Sequence, residues 1–160
     1  MKKYEFTGET KKVEMLFRIV TLHRIRATVS FGLVEVGELG GWIEKEENLS
    51  HDGKAWVWGN AKVWGNAEVW GNAKVFSASH VLVIGAIGSR NDFTTFYRDK
   101  DNEITVKCGC FLGKIDKFLQ KVTETHGDSK YALVYRAAVE VAKLQIDLSG
   151  EAPKEEDGAE

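Results

Sequence analysis

The chain is poor in proline, in cysteine and in long apolar runs. It has one proline and two cysteines in 160 residues, and Gly, Lys, Glu or Asn interrupts its apolar stretches. Two cysteines cannot supply a disulfide framework, and a membrane-spanning helix needs about 20 consecutive apolar residues. No apolar segment follows the opening Met-Lys-Lys, so we expect no secretory signal. We therefore expect a protein of the bacterial cytoplasm that does not bind membranes.

Charge is distributed unevenly along the chain. The net charge is -2, but residues 147–160 hold six acids and one lysine, which leaves the other residues at about +3. Such a small excess is not the concentrated basic face that a duplex-DNA binder needs. Residues 150–160 contain no aromatic or branched apolar side chain. The composition therefore predicts a disordered acidic tail over residues 147–160.

A six-residue repeat occupies the centre of the chain. It reads AWVWGN, AKVWGN, AEVWGN and AKVF over residues 55–76, and its register extends to Val81 and Ile87. Ala and Val lie two residues apart, so they share one side of an extended strand, and Gly-Asn tolerates the positive φ of a corner. The pattern resembles the hexapeptide repeat of left-handed parallel β-helices. That resemblance implies a mainly β fold with about two coils in a β-helix domain spanning residues 51–88.

One aromatic residue in each hexad faces outward if the valine faces inward. These residues are Trp58, Trp64, Trp70 and, in the same register, Phe76. An exposed ladder of aromatic rings needs cover. The chain's own flanks, a neighbouring subunit, or a stacked base or sugar could supply this cover, and polymerisation of the protein is a further alternative. Hexapeptide-repeat proteins commonly associate through prism faces, so the resemblance favours a homotrimer.

The flanks of the repeat are predicted to cover its ends. Residues 1–50 contain short runs of alternating apolar and polar side chains, which predict an N-terminal β cap. Within residues 89–146, two strands flank Asp99–Asn102, and helical spacing follows from Lys114 onward. The sequence therefore predicts an α+β C-terminal part, a ββαα unit packed against the β-helix.

The two cysteines, Cys108 and Cys110, lie at the end of the second predicted strand. They point to the same face of an extended strand, and they are poorly placed for an unstrained disulfide. Three interpretations stay open: small core side chains, a functional thiol, or partial ligands of a zinc site with His126. No cofactor is predicted.

Catalysis finds little support in the sequence. Only His51 and His80 lie near the repeat, whereas a γ-class carbonic anhydrase site needs three histidines and a hexapeptide acyltransferase needs a long groove. No GxSxG, P-loop or HExxH spacing occurs. A cysteine hydrolase built on Cys108 or Cys110 with His126 stays open, as does a transferase-like enzyme, but the chain is predicted to be a binding protein.

A small anion is the predicted ligand. The turn that contains Arg90 offers a hydroxyl, a guanidinium and an amide, which suit a phosphate or a carboxylate. The predicted ligand-binding residues are Ser89, Arg90, Asn91, Thr94, Thr95 and Tyr97. The alternative is that Arg90 pairs with a nearby carboxylate and that the threonines only fill a strand.

Several motifs outside the hexads have a joint resemblance. They are KYEFTGET (residues 3–10), GELGGWIEKEENLS (37–50), GSRN (88–91), FTTFY (93–97), CGCF (108–111) and ETHGD (124–128). Together they resemble an uncharacterised family of short proteins from phages, prophages and gut Firmicutes. The resemblance implies a phage accessory protein with an anti-defence role, which sequesters a nucleotide signal or, alternatively, inhibits or scaffolds a host protein.

Overall fold

Residues 2–153, the part of the chain that the computed structural model describes, contain ten strands, two α-helices and two 3-10 helices of three residues each. The strands form two four-stranded sheets and one two-stranded sheet, and both α-helices are C-terminal. The protein is therefore a mixed α/β fold. The predicted left-handed β-helix is wrong, because residues 2–153 contain three small sheets and no solenoid of that kind. Residues 154–160 of the predicted acidic tail lie outside the described residues.

The N-terminal sheet contains β1 (Tyr4–Glu14), β2 (Ile19–Ala27) and β3 (Leu39–Ile43) in antiparallel order. The register between β2 and β3 shifts after Arg24, so the buried side chains of β2 change clusters along its length. Its first half packs with Trp42, and its second half packs into the main core of the repeat. This shift lets one strand contribute to two apolar clusters.

The hexads form three very short strands, β4 (Trp56–Val57), β5 (Lys62–Val63) and β6 (Lys74–Val75). β5 pairs in parallel with β3, whereas β4 and β6 pair in parallel with each other. The predicted inward direction of the small and branched side chains is confirmed, because all of them are 0–3% exposed: Ala55, Val57, Ala61, Val63, Ala67, Val69, Ala73 and Val75. The repeat thus contributes one row of buried side chains to the core, although its strands belong to two different sheets.

The C-terminal sheet contains β7 (Val81–Ile87), β8 (Asp92–Arg98), β9 (Ile104–Cys108) and β10 (Phe111–Lys114). All three pairings are antiparallel. The hairpin of β8 and β9 is confirmed, but the predicted ββαα unit lacked β7 and β10. The period of six predicts that Val81 and Ile87 belong to the hexads, yet both lie on β7, which pairs with β8.

Two helices, α1 (Ile115–His126) and α2 (Lys130–Gln145), follow the sheet. Their apolar side chains and one face of β8 form a second core around Phe96, Phe118 and Val139. The other face of β8 sends Tyr97 into the first core. β8 therefore separates the repeat from the helices. Neither helix in the described part of the chain is long and apolar enough to cross a membrane.

The chain after α2 returns to the sheet and covers Arg98. This arginine is 1% exposed, and its guanidinium donates to the carbonyl oxygens of Asp147 and Gly150. It also lies over the ring of Phe76, with 4.8 Å from Cζ to the centroid. Burial lowers the pKa of Arg98. Backbone carbonyls thus replace water around a buried cation.

The Gly41→Ala substitution should destabilise the protein by about 1–3 kcal/mol, as overpacking of a dense core does. A Cβ on Gly41 would lie 2.6 Å from the Ala61 carbonyl oxygen and 2.7 Å from Val57 Cγ1. Gly113→Ala is the control, because its new Cβ would meet side-chain atoms and no backbone atom, the nearest being Phe111 Cζ at 3.1 Å. Urea unfolding measures both variants, and equal losses of stability would contradict the tight contact at Gly41.

Candidate functional site

A groove of about 270 Å³ lies between the end of the C-terminal sheet and the two helices. Phe111, Phe118 and Val122 form an apolar part of its lining. The groove also brings together chemically active side chains from three elements and two turns: Ser89, Arg90, Cys108, Cys110, His126 and Tyr135. No other described pocket collects both thiols with an arginine. We take this groove as the candidate site.

The turn from β7 to β8 forms one wall of the groove. Gly88 has a φ of 78°, and a Cβ at this position would overlap the Tyr135 hydroxyl. Glycine is required here both for the left-handed backbone and for the close approach of the tyrosine. This contact fixes the turn against α2, and the neighbouring Ser89 and Arg90 then line the groove.

The turn from β9 to β10 places the two thiols. Cys108 is the last residue of β9 and lies opposite Phe111, so Cys110 belongs to the turn and not to the strand. The prediction that both cysteines share one face of a strand is therefore wrong. Cys108 is half-buried and its Sγ accepts a hydrogen bond from Thr94 Oγ1 at 3.3 Å, whereas Cys110 is exposed.

Tyr135 connects the helices to the thiol. Burial raises the pKa of its hydroxyl, and the charge and hydrogen bond of Cys108 raise it further. The His126 ring stacks on the Tyr135 ring at a centroid distance of 5.8 Å and an angle of 25°. Phe118 meets Tyr135 edge-on at a centroid distance of 5.7 Å. The groove therefore has an aromatic wall whose hydroxyl stays protonated at neutral pH.

The strand β8 divides the predicted ligand-binding residues. Ser89 and Arg90 line the groove, and Thr94 reaches it through its bond to Cys108. Thr95 faces the repeat, where its Oγ1 accepts from the Glu68 N–H at 3.0 Å. Tyr97 is buried in the first core. The structure therefore brings Ser89 and Arg90 to the groove and buries Thr94 behind its lining, whereas Thr95 and Tyr97 lie on the far face of the strand.

Asn91 shares the turn but has a mainly conformational role. Its φ is 48°, and its N–H donates to the Gly88 carbonyl oxygen at 3.2 Å. Asparagine tolerates this left-handed conformation better than most residues. It helps to shape the turn that carries Arg90, and it is not among the lining residues of the groove.

The zinc hypothesis gains no geometric support. Cys108, Cys110 and His126 all line the groove, but residues 2–153 contain no cluster of three or more His, Cys, Asp or Glu side chains that could hold a metal ion. The groove also lacks His51 and His80. Each of these accepts a backbone N–H through Nδ1, at 3.0 and 3.2 Å, and burial lowers the pKa of both.

The outward aromatic rings of the hexads are largely covered by the chain itself. Trp58 packs against the first core, and the Lys107 ammonium lies 4.7 Å from the centroid of the Trp70 ring. Phe76 contacts Arg98 and is half-buried. Trp64 is the exception, because it is 38% exposed. These contacts supply one of the three covers considered for the ladder. The homotrimer stays a prediction.

Sequence reasoning missed Lys121 and Tyr135, which both line the groove. Tyr135 belongs to the apolar stripe of α2, and this pattern predicts burial without showing which part of the sheet the hydroxyl reaches. No family model matches the chain, and no significantly similar curated protein was found. The resemblance to phage proteins therefore stays a prediction.

The two thiols should react at different rates. We expect N-ethylmaleimide to label Cys110 at least about tenfold faster than Cys108, because thiol reactivity depends on exposure. Mass spectrometry of digested protein measures both rates, and Cys110→Ser should leave only the slow reaction. Labelling in guanidinium chloride is the control in which the rates converge. Equal rates in the folded protein would contradict this geometry of the groove.

Proposed function

We propose that the protein is a non-catalytic binding protein that sequesters a small organic anion, such as a nucleotide, in this groove. The observation that carries the proposal is the combination of cations with an aromatic wall. Arg90 and Lys121 line the groove together with one carboxylate, Asp92, and neither cation forms an ion pair within residues 2–153. Unpaired cations beside an apolar surface suit a ligand that has a charged group and a flat ring.

The size of the groove restricts the ligand class. Small-molecule sites commonly have volumes of about 300–1,000 Å³, and this groove, at about 270 Å³, lies just below that range. A single ring with one phosphate or carboxylate group is therefore a better fit than a dinucleotide. In this arrangement the Arg90 guanidinium binds the anionic group, and the ring lies against Tyr135 or His126.

The thiols favour binding over hydrolysis. A cysteine nucleophile needs a base within hydrogen-bond reach, but His126 packs against Tyr131 and Tyr135. Within the described chain, no hydrogen bond joins His126 to either cysteine. Cys108 Sγ instead accepts a hydrogen bond from Thr94 Oγ1, and it lies close enough to Tyr135 to raise the pKa of that hydroxyl. These contacts position the sulfur as part of the wall.

The setting we propose is the cytoplasm of a bacterial host, with the protein acting as a phage-encoded anti-defence factor. Both cysteines are free thiols, which agrees with a reducing compartment. If the ligand is a signal in host defence, sequestration alone is enough to give the protein a function.

A second candidate function is binding of a host protein through the β1–β2 hairpin. Leu16 and Phe17 at its tip are 88% and 93% exposed. Exposed neighbouring apolar side chains of this size are typical of protein contact surfaces. Leu16→Ser with Phe17→Ser should leave nucleotide binding intact, so the two functions can be separated by mutation.

Arg90→Gln should weaken binding of a 5′-mononucleotide about 10- to 100-fold, because loss of a charged hydrogen-bond partner costs ~1.5–3 kcal/mol. Isothermal titration with the four common mononucleotides measures the affinity, and bound ligand should also raise the melting temperature of the unmodified protein.

Arg18→Gln is the matched control for this experiment. It removes the same charge from a side chain that is 55% exposed and paired with Glu44. Binding should be unchanged in this variant. If Arg90→Gln and Arg18→Gln behave alike, or if no mononucleotide binds the unmodified protein, the proposed ligand class is wrong.

A further inference from the structure

A second pocket, of about 140 Å³, lies beside the repeat and shares no lining residue with the groove. We propose that it binds a phosphate group, either free or as part of a phosphate ester. Its polar lining consists of Lys54, Lys74, Lys100 and Asn72, and Trp58 contributes an aromatic wall. This site is independent of the proposed function of the groove.

The backbone brings the three lysines together around one short turn. The Lys54 N–H donates to the Gly71 carbonyl oxygen at 3.0 Å, and the Lys100 N–H donates to the Asn72 carbonyl oxygen at 3.0 Å. Lys74 lies just after this turn, on β6, opposite Trp56. The segments that contain Lys54 and Lys100 are therefore both hydrogen-bonded to the turn at Gly71 and Asn72. The fold thus places the backbones of all three lysines around the same turn.

Cations are the only charged side chains among the described lining residues of this pocket. No carboxylate is among its lining residues, and none of its three lysines forms an ion pair in the part of the chain that the structure describes. Among residues 2–153, the one hydrogen bond of Lys74 Nζ goes to the Pro153 carbonyl oxygen, at 2.8 Å. By contrast, Lys114 pairs with Asp99, Asp101 and Glu103. Like charges around one cavity repel each other, and a bound anion relieves that repulsion.

The size and chemistry of the pocket favour a phosphate group. Ammonium groups bind phosphate as point charges and donate up to three hydrogen bonds each. The Asn72 amide supplies a neutral donor in the same lining. A cavity of about 140 Å³ is half the volume of the groove, so we expect it to hold the anionic group and not a whole nucleotide. The half-buried Trp58 indole gives the site an optical reporter.

The probe for this site is pyrophosphate, with inorganic phosphate as a weaker second probe. Isothermal titration of the full chain at low salt should show one pyrophosphate bound, with a change in tryptophan fluorescence. The triple variant Lys54→Gln, Lys74→Gln, Lys100→Gln should lose at least about tenfold in affinity, and binding should weaken steeply with added salt. Lys117→Gln, which removes an exposed lysine from α1, is the matched control and should bind normally.

Arg90→Gln separates this site from the groove. Pyrophosphate binding that persists in Arg90→Gln and fails in the triple variant supports the lysine pocket. Binding that fails in Arg90→Gln and persists in the triple variant overturns it, as does equal binding by the triple variant and Lys117→Gln. Circular dichroism and the melting temperature of the triple variant establish that it is folded.

The acidic residues after Pro153 require one further variant in this experiment. Glu155, Glu156 and Asp157 follow in the sequence, and carboxylates of the chain compete with phosphate for ammonium groups. The full chain with Glu155→Gln, Glu156→Gln and Asp157→Asn is therefore titrated in parallel. Lysine-dependent binding in this chain supports the site. If pyrophosphate fails to bind both the unmodified and the neutralised chain, the proposal is wrong.

Discussion

The close contact between β3 and the repeat is the constraint on which the N-terminal half of the structure depends. The Trp42 N–H donates to the Ala61 carbonyl oxygen at 3.0 Å, and a side chain at Gly40 or Gly41 would collide with the repeat. This parallel pairing holds the N-terminal sheet over the buried Trp56 and closes the first core. Without it, the repeat would expose a row of small apolar side chains.

The fold was predictable where it depends on local pattern. The alternation of Ala and Val correctly indicated which hexad side chains are buried, because a strand alternates its faces. The β-helix was wrong because the partners of a strand are set by distant contacts: β5 pairs with β3 from the flank and not with another hexad. The same limit explains β7, since Val81 and Ile87 satisfy the period of six while the apolar run between them pairs with β8.

The candidate site was predictable only in part. Turn chemistry identified Ser89 and Arg90, and both line the groove. The separation of Thr94 from Thr95 follows from strand alternation alone, so the sequence contained that information. The position of Tyr135 did not follow from the sequence, because its approach depends on how α2 packs over the turn at Gly88. Side chains that helices deliver to a sheet edge require the tertiary structure.

The cover over Arg98 has a consequence for the C-terminal part of the chain. The carbonyl oxygens of Asp147 and Gly150 act as a solvation shell made of protein, because they replace the water that a guanidinium would otherwise retain. Residues 147–150 are therefore part of the folded unit in an electrostatic sense, although Leu148 is only half-buried and the other three are exposed. A fusion partner joined at Ile146 would remove that shell, whereas one joined after Pro153 would preserve it.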